Sequence, residues 1–141
     1  MKFKDSLTCE QDGLSEVVIE HRGENFYGYA KCHPDDEWSE FAGCRLAELR
    51  AQIKALKSDY KKALASYDEC KKFVNSIKTY KNFNAEDPTA KAMFRQLNRR
   101  AREVNALNTR IAALELTLKA SIRMQDQIRI KAKGKTKDKN D

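Results

Sequence analysis

Two long heptad patterns constrain the fold of this 141-residue chain more than any other feature. In the first pattern, apolar or small residues recur at alternating steps of four and three without a slip. The positions are Ala42, Leu46, Leu49, Ile53, Leu56, Tyr60, Ala63, Tyr67, Cys70, Val74 and Ile77. This spacing predicts a long helix with one narrow apolar seam, and such a seam must pack against another helix.

The second pattern follows a break at residues 79–87 and is kept through Leu118, after which it degrades. Its positions are Met93, Leu97, Arg100, Val104, Leu107, Ile111, Leu114, Leu118, Ser121, Gln125 and Ile128. Asp87 before Pro88 is a natural N-cap with proline at the first helical position. Two helices of about 40 residues, each roughly 60 Å long, joined by a short linker predict an antiparallel helical hairpin.

Residues 1–33 have the signature of strands and turns. The β-branched run Val17-Val18-Ile19 is followed by a turn at residues 21–25 and by a second extended segment, Phe26–Cys32. Phe3, Leu7 and Cys9 alternate with polar residues, which predicts a further short strand or an extended arm. Gly28 within the second strand predicts close approach of another backbone, or a bulge. The fold class expected is therefore α+β, with a short antiparallel β-hairpin or sheet before the helical hairpin.

Charge and composition divide the chain into three parts. The formal net charge is +7, and much of it lies in a lysine-rich stretch from Lys131 to Lys139 that has no apolar residue larger than alanine. Such a stretch predicts a disordered basic tail. We therefore expect a β element over residues 1–33, a helical hairpin over 34–131 that starts at Pro34, and a disordered tail over 132–141.

No combination of residues predicts an enzyme or a cofactor, and the evidence for a metal site is weak. The string His33-Pro34-Asp35-Asp36-Glu37 also occurs in zinc-dependent N-acetylglucosaminyl deacetylases, but the further histidine and the large α/β domain of those enzymes are missing here. The acids fit better as the first turn of a helix. A mixed metal site remains a minor alternative, and its ligands would be Cys9, His21, Cys32 and His33.

Anion binding is the best-supported chemistry. Arginines and asparagines cluster around the predicted helical turn, together with an aromatic ring. Guanidinium groups grip phosphate oxygens, an asparagine can bond an adenine edge, and a ring offers a stacking face. The candidate ligand residues are Asn82, Phe83, Met93, Arg95, Asn98, Arg99, Arg100 and Arg110. The alternative is that the arginines form a solvated helix face and that Phe83 and Phe94 belong to the core.

The order of elements resembles a family of small phage proteins that counter bacterial Thoeris defence. The resemblance lies in the hairpin of Val17-Val18-Ile19 with Tyr27-Gly28-Tyr29-Ala30, the stretch from Lys31 to Asp36, the run Gly43–Ala47 and the two long helices. It implies a non-catalytic protein that sequesters a cyclic ADP-ribose-type signal, and in some members cyclic oligonucleotides. It also implies a dimer or higher homo-oligomer in which Phe83 and Asn98 hold adenine while Arg95, Arg99 and Arg110 hold phosphates.

Two alternatives stay open beside this hypothesis. The chain could be a basic coiled-coil protein that binds nucleic acid, through the lysine-rich tail above all. It could also be a structural or adaptor phage protein in which Arg100 only sets the helix register. Neither a signal peptide nor a membrane-spanning run is present in the sequence. We therefore expect a cytoplasmic protein with no membrane partner, and the resemblance implies the cytoplasm of a bacterial host.

Overall fold

The computed structural model describes residues 1–140, with side chains described for residues 1–134. A three-stranded antiparallel sheet precedes two long helices, so the predicted α+β class is confirmed. The elements are β1 (Lys2–Cys9), β2 (Leu14–His21), β3 (Glu24–Lys31), α1 (Glu40–Lys78) and α2 (Pro88–Asn140). The chain forms two compact units: unit 1 comprises Met1–Ala55 and Ala112–Asp141, and unit 2 comprises Leu56–Ile111.

The sheet has the strand order β1-β2-β3, so each strand pairs with its neighbour in sequence. Arg22 and Gly23 connect β2 to β3 with φ angles of 52° and 77°, as the two-residue turns of tight hairpins require. The predicted hairpin is therefore confirmed. The sequence did not decide between a strand and an extended arm for the first residues. In the structure they form a full strand, β1, with an irregularity between Phe3 and Asp5.

In unit 1, α1 packs directly on one face of the sheet. Three alanines spaced four residues apart lie on one side of the helix and are completely buried. They pack against a second set of buried apolar residues that point from β2 and β3. The core consists of Ala47, Ala51 and Ala55 on α1 with Val17, Ile19 and Ala30 on the sheet. Small side chains on the helix let the two backbones approach closely.

Gly28 lies where this approach is closest. A Cβ atom at Gly28 would overlap the carbonyl oxygen of Ala47 and would lie 2.7 Å from the amide nitrogen of Ala51. No side chain fits between the strand and the helix at this point. The close backbone approach predicted from Gly28 is confirmed.

Two basic side chains of α1 reach the main chain of β3. Arg50 Nη1 donates to the carbonyl oxygen of Tyr29 over 2.7 Å, and Lys54 Nζ donates to that of Tyr27 over 2.8 Å. β3 is an edge strand of the sheet, and its other edge pairs with β2. These two carbonyl groups are therefore satisfied by the helix.

The start of α1 differs from the prediction. The helix begins at Glu40 rather than at Pro34, because Ser39 is the N-cap: its Oγ accepts the amide of Ala42 over 3.2 Å. Residues 34–36 form a turn instead, in which the amide of Asp36 donates to the carbonyl of His33 over 2.9 Å. The acids of this stretch are consequently not the first turn of a helix, and the interpretation that placed them there is wrong.

In unit 2, residues 56–78 of α1 pack antiparallel to residues 88–111 of α2. Val74 of α1 and Ala90 of α2 are both buried and line one apolar cluster, whereas Ser66 meets Arg100 farther along both helices. Asp87 Oδ1 accepts the amide of Thr89 over 2.9 Å, so the predicted N-cap of α2 is confirmed. The helical hairpin is likewise confirmed within this unit.

The far end of α2 also differs from the prediction. The sequence predicts a disordered tail over residues 132–141, whereas α2 extends to Asn140, and Asp141 lies outside the described residues. Lysine is a good helix former, and Lys133 forms an ion pair of 2.7 Å with Asp35 that holds this end of the helix. No helix in the described part of the chain is both long and apolar enough to cross a bilayer.

Candidate functional site

The eight predicted ligand residues all lie in unit 2, but they fall into two groups that do not converge on one pocket. Phe83, Met93 and Arg100 are half-buried in the hairpin. The other five are exposed, namely Asn82, Arg95, Asn98, Arg99 and Arg110. The two groups have separate roles and are described in turn.

The half-buried aromatic residues form the core of the hairpin turn. The rings of Phe83 and Phe94 meet edge to face at 6.2 Å, and Lys78 Nζ lies 5.2 Å from the centroid of the Phe94 ring. Phe83 and Met93 line the same small apolar cavity as Val74. This placement matches the alternative given by the sequence, in which the phenylalanines pack in the core, and it leaves the ring of Phe83 occupied by its own chain.

Arg100 occupies a seam position and connects the two helices. Its Nη1 donates to the carbonyl oxygen of Ser66 on α1 over 3.0 Å, and the side chain is half-buried. The long aliphatic stem fills the seam while the guanidinium reaches a polar group on the neighbouring helix. Arg100 thus fixes how α1 and α2 align.

The exposed residues of α2 form a surface that we call the arginine face. Arg95, Arg99 and Arg102 follow one another at steps of four and three, which places them on one side of the helix. Asn98 lies within the same stripe, and Arg110 continues it three turns beyond Arg99. The half-buried seam of Met93, Leu97, Arg100 and Val104 runs along the other side.

No carboxylate among the described side chains neutralises the arginine face. Within residues 1–134, neither Arg99 nor Arg102 nor Arg110 forms an ion pair, and Arg95 makes only a long contact of 3.4 Å from its Nε to the carbonyl of Lys91. Guanidinium groups at this spacing can donate pairs of hydrogen bonds to successive phosphate oxygens. The face is open, however, so a ligand bound by one chain alone would remain half in water.

The exposed ring of the turn is Tyr80 rather than Phe83. Tyr80 is 67% exposed, whereas Phe83 is half-buried. A ring that stacks on a base needs a free face, and Tyr80 has one. The sequence holds a signal for this difference: Tyr80 follows the last seam residue of α1, Ile77, by three residues, where the heptad has already ended.

A second polar site lies in unit 1, where the loop before α1 meets the C-terminal part of α2. Arg129 Nε donates to Asp36 Oδ1 over 2.7 Å and its Nη2 lies 3.4 Å from Asp36 Oδ2. The same Nη2 donates to Asp126 Oδ1 over 2.8 Å, and Lys133 Nζ lies 2.7 Å from Asp35 Oδ2. We call this set of five side chains the ionic latch.

The pKa values of the latch shift in the directions that these contacts impose. The hydrogen bond and charge of Lys133 lower the pKa of the Asp35 carboxyl. Desolvation opposes this shift, and the charges of His33 and Arg129 make smaller contributions that lower the pKa further. The hydrogen bond to Asp36 raises the pKa of the Arg129 guanidinium. His33 Nδ1 accepts the amide of Asp35 over 3.1 Å and lies 3.8 Å from Asp35 Oδ2.

Two open clefts flank the latch. One, of about 450 Å³, lies on the side of Cys32, His33 and Arg50, and the other, of about 380 Å³, lies on the side of Trp38 and Ile128. Asp36, Gln125 and Arg129 line both clefts. The Asp36–Arg129 pair therefore lies between two open clefts.

The cysteines and histidines do not come together as the minor metal alternative requires. Across residues 1–134, no group of three or more His, Cys, Asp or Glu side chains is arranged to hold a metal ion. Cys32 Sγ points to the carbonyl of His33 at 3.5 Å, and Cys9 Sγ points to Asp12 Oδ2 at 3.4 Å. Burial raises the pKa of the Cys44 thiol, and Glu40 and Glu48 raise it further, so this thiol stays protonated at neutral pH.

Comparison with known proteins adds no family to this geometry. No protein-family model, no curated protein and no solved structure matches the chain.

Proposed function

We propose that the protein binds and sequesters a small phosphorylated, adenine-containing signal of the cyclic ADP-ribose type without changing it chemically. The observation that carries this proposal is the exposed arginine face of α2, in which Asn98 lies among Arg95, Arg99 and Arg102. Phosphate oxygens would take the guanidinium groups, and an adenine edge would take the Asn98 amide. This is the role implied by the resemblance to the Thoeris anti-defence proteins of phages, which act in the bacterial host cytoplasm.

A second copy of the chain is part of the proposal. In unit 2 the seam residues Leu97, Val104 and Leu107 of α2 remain only half-buried. Apolar surface that one chain leaves partly in water favours association with another copy. A homo-oligomer would also add a second wall to the arginine face, which by itself is too open to enclose a ligand.

Isothermal titration calorimetry with purified protein tests the proposal. Cyclic ADP-ribose isomers, cyclic dinucleotides and cyclic trinucleotides are titrated separately into protein at micromolar concentration. We expect one of the cyclic ADP-ribose isomers to bind, and we expect the same mass to be recovered when the complex is denatured. Recovery of a cleaved product would contradict sequestration, and absence of heat with every ligand would contradict binding.

A pair of double variants assigns the binding to the arginine face. Arg99→Gln with Arg102→Gln should weaken binding by at least about 100-fold, because two charge-assisted hydrogen bonds of about 1.5–3 kcal/mol each are lost. Lys61→Gln with Lys72→Gln removes the same charge from exposed positions of α1 and should change the affinity by less than about threefold. Equal effects of the two pairs would show that net charge alone matters.

Nucleic-acid binding is the second candidate, and the length of the arginine face favours it. Arg95 and Arg110 are separated by more than four helical turns, a span that suits successive phosphates of a strand. Affinity for a single-stranded oligonucleotide should then fall steeply with salt, with a slope that reports the number of phosphates contacted. A salt-insensitive affinity for the oligonucleotide would exclude this candidate.

A further inference from the structure

The ionic latch contains cations that bind the chain's own carboxylates in the way that cations bind phosphates. Asp36 presents both oxygens to Arg129 at 2.7 and 3.4 Å, which is the paired geometry that a guanidinium also offers to a phosphate. Asp35, the preceding residue, presents its carboxylate to Lys133 at 2.7 Å. Two adjacent anions of the loop thus occupy two cations of α2 that are one helical turn apart, about 6 Å.

The arrangement differs from an ordinary surface ion pair in its enclosure. The side chains of Arg129 and Asp36 are only 20% and 15% exposed, and a second carboxylate, Asp126, bonds the same guanidinium. Lys133 and Asp35 are more open, at 59% and 46%. The outer pair can therefore be displaced first, and open clefts on both sides of Asp36 give an incoming anion access to the inner pair.

We propose that Arg129 and Lys133 form a binding site for adjacent phosphates of a polyanion, and that the loop carboxylates Asp35 and Asp36 occupy this site and autoinhibit it. The loop acts as an internal substitute for the phosphates. A polyanion binds only when the loop is displaced. The measured association constant is therefore the intrinsic constant multiplied by the fraction of molecules in which the loop is released. This site belongs to unit 1 and is separate from the arginine face, so its failure would leave the sequestration proposal intact.

The same ion pairs attach the loop before α1 to α2. Residues 34–36 form a turn in which the amide of Asp36 donates to the carbonyl of His33, and the Cys32 thiol lies 3.8 Å from the carbonyl of Asp36. Displacement of Asp35 and Asp36 from α2 removes the ion pairs that fix the turn to the helix. Binding of the polyanion should therefore release the loop and expose it.

Fluorescence anisotropy with two labelled probes, a 20-nucleotide single strand of DNA and an inorganic polyphosphate of similar charge, tests the proposal on the full chain. Asp35→Asn with Asp36→Asn removes both loop carboxylates from the site and leaves Arg129 bonded to Asp126 alone. The variant should bind each probe about tenfold more tightly than the parent protein, as expected when the loop occupies the site in nine-tenths of the molecules. A gain with both probes identifies phosphate chemistry as the determinant. A gain with DNA alone would overturn the assignment to phosphates.

The matched control separates the site from net charge. Asp68→Asn with Glu69→Gln makes the same change in charge at exposed positions of α1, and it should strengthen binding by less than about threefold. Adding Arg129→Gln and Lys133→Gln to the Asp35 and Asp36 variant should abolish the gain. An equal gain in the control, or a gain that survives the loss of both cations, overturns the proposal.

Circular dichroism of each variant guards against loss of structure. If the double variant has lost helical signal, the affinity of the single variant Asp35→Asn is measured instead. This variant keeps the two hydrogen bonds between Arg129 and Asp36. The single variant should show a smaller gain in affinity than the double variant and none in the absence of Lys133. No gain in a fully helical single variant overturns the claim for the outer pair.

Discussion

The two cationic regions of α2 differ in one respect, namely whether the chain supplies its own carboxylates. At the latch in unit 1, Arg129 is shared by Asp36 and Asp126, and Lys133 is held by Asp35. On the arginine face in unit 2, Arg99 and Arg102 find no carboxylate among the described residues. The comparison teaches that positive charge in the sequence says little about anion binding until the placement of the acids is known.

Asn98→Asp would erase the difference by adding a carboxylate to the arginine face. The new acid would lie one turn from both Arg95 and Arg102, would compete with the ligand for their guanidinium groups and would repel its phosphates. We expect the affinity for the nucleotide signal to fall by about 100-fold or more in calorimetry. Asn75→Asp, an exposed position of α1 in the same unit, should change it by less than threefold. Equal losses in both variants would contradict the role of this face.

Arg129→Gln would disrupt the ionic latch, because Asp36 and Asp126 would lose the cation that they share. The loop would lose its anchor, and we expect the amide of Asp36 to exchange with deuterium about tenfold faster. The control is Arg123→Gln, at an exposed position in the same part of α2, which should leave exchange in the loop unchanged. Unchanged protection after loss of Arg129 would show that the loop is ordered by its own turn alone.

Arg100→Leu tests an arginine that belongs neither to the ionic latch nor to the arginine face, because its guanidinium bonds a main-chain carbonyl. Leucine keeps the seam filled, and the Ser66 carbonyl retains its bond within α1, so the melting temperature should change by no more than about 3 °C. Ligand affinity should change by less than about twofold. Arg100→Ala leaves a gap in the seam and should melt lower than the leucine variant. A large loss of affinity with Arg100→Leu would move this arginine into the ligand site.

Lys133→Gln has the smallest expected effect, on the titration of a single carboxyl. Lys133 is the main cause of the lowered pKa of Asp35, so its removal should raise that pKa towards the ordinary value of 3.8. A carboxyl whose pKa is lower in the folded than in the unfolded protein stabilises the fold at any pH above its unfolded-state pKa. The contribution of Asp35 is therefore present at neutral pH and is lost as the pH falls through its folded-state pKa. Carbon-detected NMR titration measures the pKa directly. Lys131→Gln is the control. If Asp35 titrates identically in the parent protein and in both variants, the ion pair between Lys133 and Asp35 does not form in solution.

The elements that the sequence predicted well are those specified by local periodicity. The unbroken steps of four and three from Ala42 to Ile77 give a helix, and Asp87 with Pro88 marks the start of the next, because both signals lie within a few residues of the structure they determine. The turn at Arg22 and Gly23 is local in the same sense. The start of α1 was predicted six residues early, because Pro34 and the acids that follow it resemble a helix start as closely as Ser39 does.

The candidate sites were predicted only in part, because they depend on contacts between distant residues. Asp36 and Arg129 are 93 positions apart, and no spacing rule links them. The only sequence signal at Arg129 is that the second heptad fails after Leu118, where polar residues replace the seam. Phe83 and Tyr80 are both aromatic residues of one turn, and only the packing of Phe83 against Phe94 decides which ring is free.

The bonds from Arg50 and Lys54 to the main chain of β3 bear on how copies of this protein behave at high concentration. An exposed edge strand is a template on which other chains can add strands and start fibres. At β3 the carbonyls of Tyr27 and Tyr29 are already bonded to α1, so a further strand would first have to displace two charged side chains. These bonds therefore oppose the addition of a strand at β3. At the opposite edge, Lys2, Lys4 and the irregular register of β1 oppose strand addition as well. The helix that completes the core of unit 1 thus also obstructs the addition of a strand at β3.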